Sequence, residues 1–176
     1  FIVTYSYFTN LTKRSEENWQ RLFSDYRNMV EKCEKAQKTM VVEVEGDTYI
    51  QTIDDYLRLF TTVNSPYLKA NFDFANLHTA QKVFTRADFE RFYPFVPYFH
   101  VKDRKLPKLK FLPSKGAVFG EGQIEWREIL PWFAEKQFSG FLSIEPHVHG
   151  ANRFELGRNC VKNQQKTLKD LKIAYE

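Results

Sequence analysis

Apolar residues recur along this chain at two alternating spacings. FIVTYSYF at the start has the compact apolar character of a strand, and it is followed by Trp19, Leu22, Phe23, Tyr26, Met29, Val30 and Cys33, three and four residues apart on one helical face. KTMVVEVEG then gives a second strand, rich in β-branched residues, and a helix over Thr52 to Val63 follows, with Thr52 and Asp55 at capping-box spacing. YLKANFDFANL predicts a third strand and Ala87 to Tyr93 a helical turn, with Thr85 and Asp88 again placed as a cap. VPYFHVKD is the fourth strand. A long loop containing Lys, Pro and Gly leads to GEGQIEW, a helix with Trp126, Ile129, Leu130 and Phe133 on one face, and a fifth strand, GFLSIEPH. A polar helix over Phe154 to Ala174 completes the pattern.

Five strand–helix alternations predict an α/β fold with a parallel sheet and helices packed outside it. No glycine-rich phosphate-binding turn follows any strand, which disfavours a nucleotide-binding open sheet and favours a (β/α)8 barrel. Five units cannot close eight strands, so about three βα units are expected to precede Phe1. The chain begins on Phe1 inside an apolar run, as is expected of a molecule entered in the middle. Left open, the edge of FIVTYSYF invites association, so a homo-oligomer is one expectation.

Composition refines this picture without redirecting it. At 176 residues and 43% hydrophobic content, residues 1–176 are expected to form one domain, an incomplete barrel with its own core. The net charge of +4 is not gathered into an arm; the densest cluster is Lys102, Arg104, Lys105, Lys108 and Lys110, with prolines between, so no nucleic-acid partner is required. Two distant cysteines, Cys33 and Cys160, give neither a disulfide framework nor a thiolate metal site and fit a reducing, cytoplasmic setting. No charged-then-apolar leader is visible, and no apolar run reaches the roughly 18 residues of a membrane span.

The candidate chemistry lies where strands end. Glu43 with Glu45, Asp73 with Asn76, His100 with Asp103, and Glu145 with His147 all stand late in apolar runs. In a (β/α) barrel the carboxyl ends of the strands converge on one mouth, so these residues can meet in space. Three carboxylates and an imidazole suit a hard or borderline divalent ion such as Mn²⁺, Mg²⁺, Co²⁺ or Zn²⁺. Without a cation, like charges in one low-dielectric pocket raise each other's pKa or cost stability. Taken singly, each acid is more often a loop residue or a cap, and His78 and His149 are assigned to ordinary loops; Asp103 and Arg104 are expected to form a local loop pair.

The strand ends also resemble a known family. VVEVEGDTY is similar to the E-N-E-x-G-T strand end of the xylose isomerase-like TIM barrels, the sugar phosphate isomerase/epimerase superfamily. NFDFANL resembles that group's D-P-A-N, YFHVKD its H-x-K-D, and FGEGQIEWREIL with GFLSIEPH its G-E-G-x-I-D-W and G-F-x-S-I-E-P-H signatures. The resemblance runs in order from Phe1 to His147. It implies a divalent metal held by Glu43, Asp73, His100 and Glu145, with Glu43 and Glu145 as the acid/base pair of a sugar, sugar phosphate or polyol isomerase or epimerase, or of a related dehydratase. In such enzymes one glutamate removes a proton beside a carbonyl, the other returns one, and the metal stabilises the enediolate between those steps.

The same resemblance places Asn76, Lys102 and His147 at substrate-facing mouth positions, and strand alternation puts Glu45 on the face of Glu43 as a supporting residue. Two other functions are weighed against this one. An apurinic-site endonuclease-like zinc enzyme needs several more histidines than the four present, and Asn76 stands where a zinc-binding His is expected. A non-catalytic sugar-binding barrel has no need to keep all four presumed ligands.

Overall fold

Ser15 starts the first helix by accepting the Asn18 N–H on its side chain at 3.3 Å, and α1 (Glu16–Lys35) carries glutamates in its first turn and lysines in its last. Its buried face is the predicted one, with Trp19, Leu22, Phe23, Tyr26, Val30 and Cys33 inside. The computed structural model describes residues 1–79, 84–105 and 114–175. The chain forms two units, Phe1–Phe99 and His100–Glu176.

The first unit contains β1 (Ile2–Thr4), α1, β2 (Met40–Glu43), α2 (Ile53–Val63), β3 (Leu68–Asp73), α3 (Phe74–Thr79) and α4 (Arg86–Phe92), and ends within β4 (Tyr98–Val101). Strand order follows chain order, β1-β2-β3-β4. β1 pairs parallel to β2 and β2 to β3, in a register that sets Thr4 beside Val42 and Glu43 beside Asn71. Every residue of β2 is buried, as are the last four of β3, which is the all-apolar signature of a sheet covered on both faces interrupted only by its functional positions. Thr52 and Thr85 both form the predicted capping boxes, with Asp55 and Asp88 returning the bond.

FIVTYSYF is not one strand. Its ladder stops at Thr4 because β2, its partner, ends at Glu43; beyond that point Tyr49 N–H donates to the Tyr7 carbonyl at 2.9 Å and Phe8 makes an isolated antiparallel bridge to Thr48. β1 is the edge, and Phe1, Ile2 and Val3 are exposed there.

In the second unit the end of β4 has β7 (Phe141–Ile144) as its neighbour, and the Glu145 N–H donates to the Val101 carbonyl at 3.2 Å. Between them the chain makes an unpredicted antiparallel hairpin, β5 (Asp103–Lys105) with β6 (Lys115–Ala117), then α5 (Trp126–Glu135), whose Trp126, Ile129, Leu130 and Phe133 are buried as expected. α6 (Arg153–Asp170) follows β7. Lys108 and Lys110 of the expected basic cluster lie outside the described residues, and Lys102 leaves that cluster altogether, being 2% exposed. No described helix is long and apolar enough to cross a membrane.

Candidate metal centre

Two sets of polar side chains stand at strand ends, one in each unit. In the first, Glu43 ends β2 and Asp73 ends β3, both within 1% of complete burial. A buried carboxylate costs several kcal/mol unless it is partnered, so its hydrogen bonds define its role. Asn71 donates from Nδ2 to Glu43 Oε2 at 3.1 Å, a bond that the Glu43–Asn71 register makes available directly. Asn76 Nδ2 lies 3.4 Å from Glu43 Oε1, 3.0 Å from the Val44 carbonyl and 3.0 Å from Glu45 Oε2.

Asp73 has a structural task as well. Its Oδ1 accepts the Asn76 N–H at 2.8 Å, in the manner of an N-cap at the start of α3. The bond fixes Asn76, and through it the orientation of Glu43. Glu45 lies beyond the end of β2; its Oε1 accepts the Gly46 N–H at 2.9 Å and its Oε2 shares Asn76 with Glu43. Beneath this group Tyr56 places its hydroxyl 2.8 Å from the Val42 carbonyl and 2.9 Å from the Asn71 carbonyl, tying β2 to β3 one residue from Glu43. Burial, reinforced by the charges of Glu43 and Asp73, holds that phenol well above its ordinary pKa.

In the second unit Glu145 is the hub. Lys102 Nζ lies 2.6 Å from its Oε2, His100 Nδ1 3.5 Å from the same oxygen, and His147 Nε2 3.4 Å from Oε1. Burial alone would raise the Glu145 carboxyl, but hydrogen bonds from His147 and Lys102, with the charges of Lys102 and His100, bring it down to about 2. The Glu145 carboxyl is therefore ionised at neutral pH, and the Lys102 ammonium, almost wholly enclosed, has a carboxylate to face. His147 is exposed, His100 half-buried. His149 is exposed, and the His78 side chain lies outside the described residues.

Asp103 is not the local partner of Arg104 that its sequence position implied. It is buried, its Oδ1 accepting the N–H groups of Arg104 at 2.9 Å and Ile124 at 3.3 Å, and its Oδ2 those of Gly120 at 2.9 Å and Gly122 at 3.1 Å. Burial pushes this carboxyl up, and the four N–H groups offset the rise only in part. Arg104 turns its guanidinium to the Ser114 hydroxyl instead, at 2.9 Å. The residues missed are Asn71 and Tyr56, and Asp103 was named with other partners than it has. Asn71 was legible, since it is two positions from Asp73 on a strand and therefore on the same face.

The model of the family described as "Xylose isomerase-like TIM barrel" matches residues 2–172. The chain belongs to the xylose isomerase-like TIM barrel family. Crystal structures agree on the fold. A xylose isomerase domain protein from Planctomyces limnophilus aligns over 92% of this chain and 56% of its own, with 16% identity and a TM-score of 0.74. A D-tagatose 3-epimerase-like protein aligns over 98% and 64%, with 18% identity and a TM-score of 0.75. A xylose isomerase-like TIM barrel protein from Mycobacterium smegmatis in complex with magnesium aligns over 91% and 53%, with 18% identity and a TM-score of 0.70. The chain thus spans between about half and two thirds of the barrels that it matches. No curated protein matches it by sequence.

Proposed function

We propose that this xylose isomerase-like chain is the metal-holding part of a divalent-metal-dependent sugar, sugar phosphate or polyol isomerase or epimerase. Glu43, Asp73, His100 and Glu145 are the ligand set. The observation that carries the proposal is the state of Glu145: a carboxylate held ionised at a strand end by three cationic or hydrogen-bonding side chains, Lys102, His147 and His100. A relative in complex with magnesium and an epimerase-like relative support the same reading.

The donor set fits such an ion. Three carboxylates and one imidazole supply the hard and borderline ligands that Mg²⁺, Mn²⁺, Co²⁺ and Zn²⁺ share, and the buried charges of Glu43 and Asp73 are then balanced. When bound, the cation supplies Lewis-acid polarisation of the substrate oxygens.

The chain's own residues do the rest. Asn71 and Asn76 hold both oxygens of Glu43, leaving it oriented, and Asp73 orients Asn76. Glu43 and Glu145 are the proton carriers, one accepting the proton from the carbon beside the carbonyl and the other delivering one to the same or the neighbouring carbon. Buried Asn76 Oδ1 accepts no hydrogen bond among the described residues and is assigned to a substrate hydroxyl. Lys102 and His147 flank Glu145, Lys102 holding its charge and exposed His147 meeting substrate.

Solvent-deuterium incorporation into a ketose or its phosphate tests the proposal. The Mn²⁺-loaded chain is expected to label the carbon beside the carbonyl, and Glu145→Gln to abolish the label with the fold intact. Labelling by Glu145→Gln at the parent rate would refute the acid/base assignment.

A further inference from the structure

Asp103 gathers an unusual number of backbone donors for a residue outside the ligand set. Its carboxylate accepts four N–H groups, those of Arg104, Gly120, Gly122 and Ile124, and the Arg104 carbonyl adds a fifth tie by accepting the Gln123 N–H at 2.9 Å. The segment after β6 is thereby folded onto the first residues of β5. The fit is close: a Cβ on Gly122 would stand 1.9 Å from Asp103 Oδ1 and 2.7 Å from the Arg104 carbonyl. Only glycine brings the backbone near enough to that carboxylate.

The hairpin so anchored reaches the mouth of the candidate site. Gly116 pairs with Arg104 in the β5–β6 ladder, and a Cβ there would lie 1.7 Å from the His147 carbonyl oxygen. The hairpin backbone therefore abuts the backbone of His147, whose ring reaches Glu145 Oε1 at 3.4 Å. The path is continuous: Asp103 carboxylate, hairpin, Gly116, His147, Glu145. Each link is backbone contact or hydrogen bond, and His147, exposed and past the end of β7, has no strand of its own to hold it.

We infer that Asp103 is a positioning residue for the mouth of the site, fixing His147 against Glu145 through the hairpin contact at Gly116. The inference rests on the proposed role of His147 in substrate binding, and it adds Asp103 and Gly116 to the residues that determine how tightly substrate is held. A carboxylate is required because a carboxamide turns an NH₂ group toward N–H donors, so Asp103→Asn loses acceptors for part of the loop.

The experiment compares the parent chain with Asp103→Asn, Asp103→Glu and Gly116→Ala, with His147 followed by imidazole NMR. Asp103→Asn is expected to speed amide exchange at Gly120 and Gly122 at least tenfold and to shift the His147 ring resonances. Gly116→Ala is expected to shift the same resonances with Gly120 and Gly122 still protected, and Asp103→Glu, which restores the acceptors, to return them part of the way. With Mn²⁺ and the ketose in deuterated solvent, the KM of Asp103→Asn and of Gly116→Ala is expected to rise about tenfold with kcat little changed, the mark of lost binding shared by ground and transition states. Unmoved His147 resonances in both Asp103→Asn and Gly116→Ala would overturn the inference, and Gly116→Ala alone decides it if Asp103→Asn does not fold. Absence of labelling by the parent would count against the proposed function, while the His147 resonances would still decide the positioning role.

Discussion

The Lys102 ammonium lies 2.6 Å from Glu145 Oε2 and is 2% exposed, so a buried cation and the proposed base form a close ion pair. A pair of this kind is strongly unfavourable to break from one side, because the remaining charge loses its partner. Lys102→Met in the metal-free chain is expected to move the Glu145 carboxyl from about 2 toward its ordinary value near 4.3, read by carboxyl ¹³C titration. An unchanged midpoint would mean that His147 and His100 suffice.

The sign of the pH dependence follows from the same pair. Glu145 is depressed in the folded chain, so its contribution to stability is complete above the unfolded value near 4.3 and is lost as pH falls toward about 2. Urea unfolding of the metal-free chain at a series of acid pH values is expected to show a steeper loss for the parent than for Lys102→Met across that window. Equal slopes would count against the assignment.

Asn76→Leu removes the donor shared by Glu43, Glu45 and the Val44 carbonyl and leaves three buried or half-buried acceptors short of a bond. The expected loss is about 1–3 kcal/mol in chemical denaturation. Metal affinity is expected to fall roughly 10- to 100-fold, as when a supporting residue of a metal ligand is lost. Stability reduced with metal affinity intact would make Asn76 a purely structural residue.

Tyr56→Phe separates packing from chemistry. The ring stays among Phe60, Phe72 and Phe92, with centroids 4.9 to 6.4 Å away, and only the hydroxyl to the Val42 and Asn71 carbonyls is lost. A cost of about 1–2 kcal/mol is expected, with metal affinity near the parent's because both carbonyls belong to the backbone rather than to the ligands. A tenfold loss of metal binding would show that this bridge sets the Glu43 geometry.

The strand ends were legible because two periods decide them. Apolar alternation located β2, β3, β4 and β7, and each polar interruption, Glu43, Asp73, His100 and Glu145, stood out against it. The capping boxes at Thr52 and Thr85 were legible for the same local reason. What local pattern could not reveal depends on partners distant in sequence. FIVTYSYF keeps its apolar character past Thr4, yet its ladder ends where β2 does; the β5–β6 strands are three residues each and too short to carry a period. Asp103 looked like half of a charge pair, whereas its acceptors serve N–H groups 17 to 21 residues away.

Calorimetric titration of Mn²⁺ into the chelator-stripped chain tests the central claim most directly, with Glu43→Gln, Asp73→Asn, His100→Ala and Glu145→Gln alongside. One Mn²⁺ per chain is predicted for the parent, with affinity reduced at least tenfold in each of the four variants. Parent-like affinity in any of them would remove that residue from the ligand set, and parent-like affinity in all four would contradict the account.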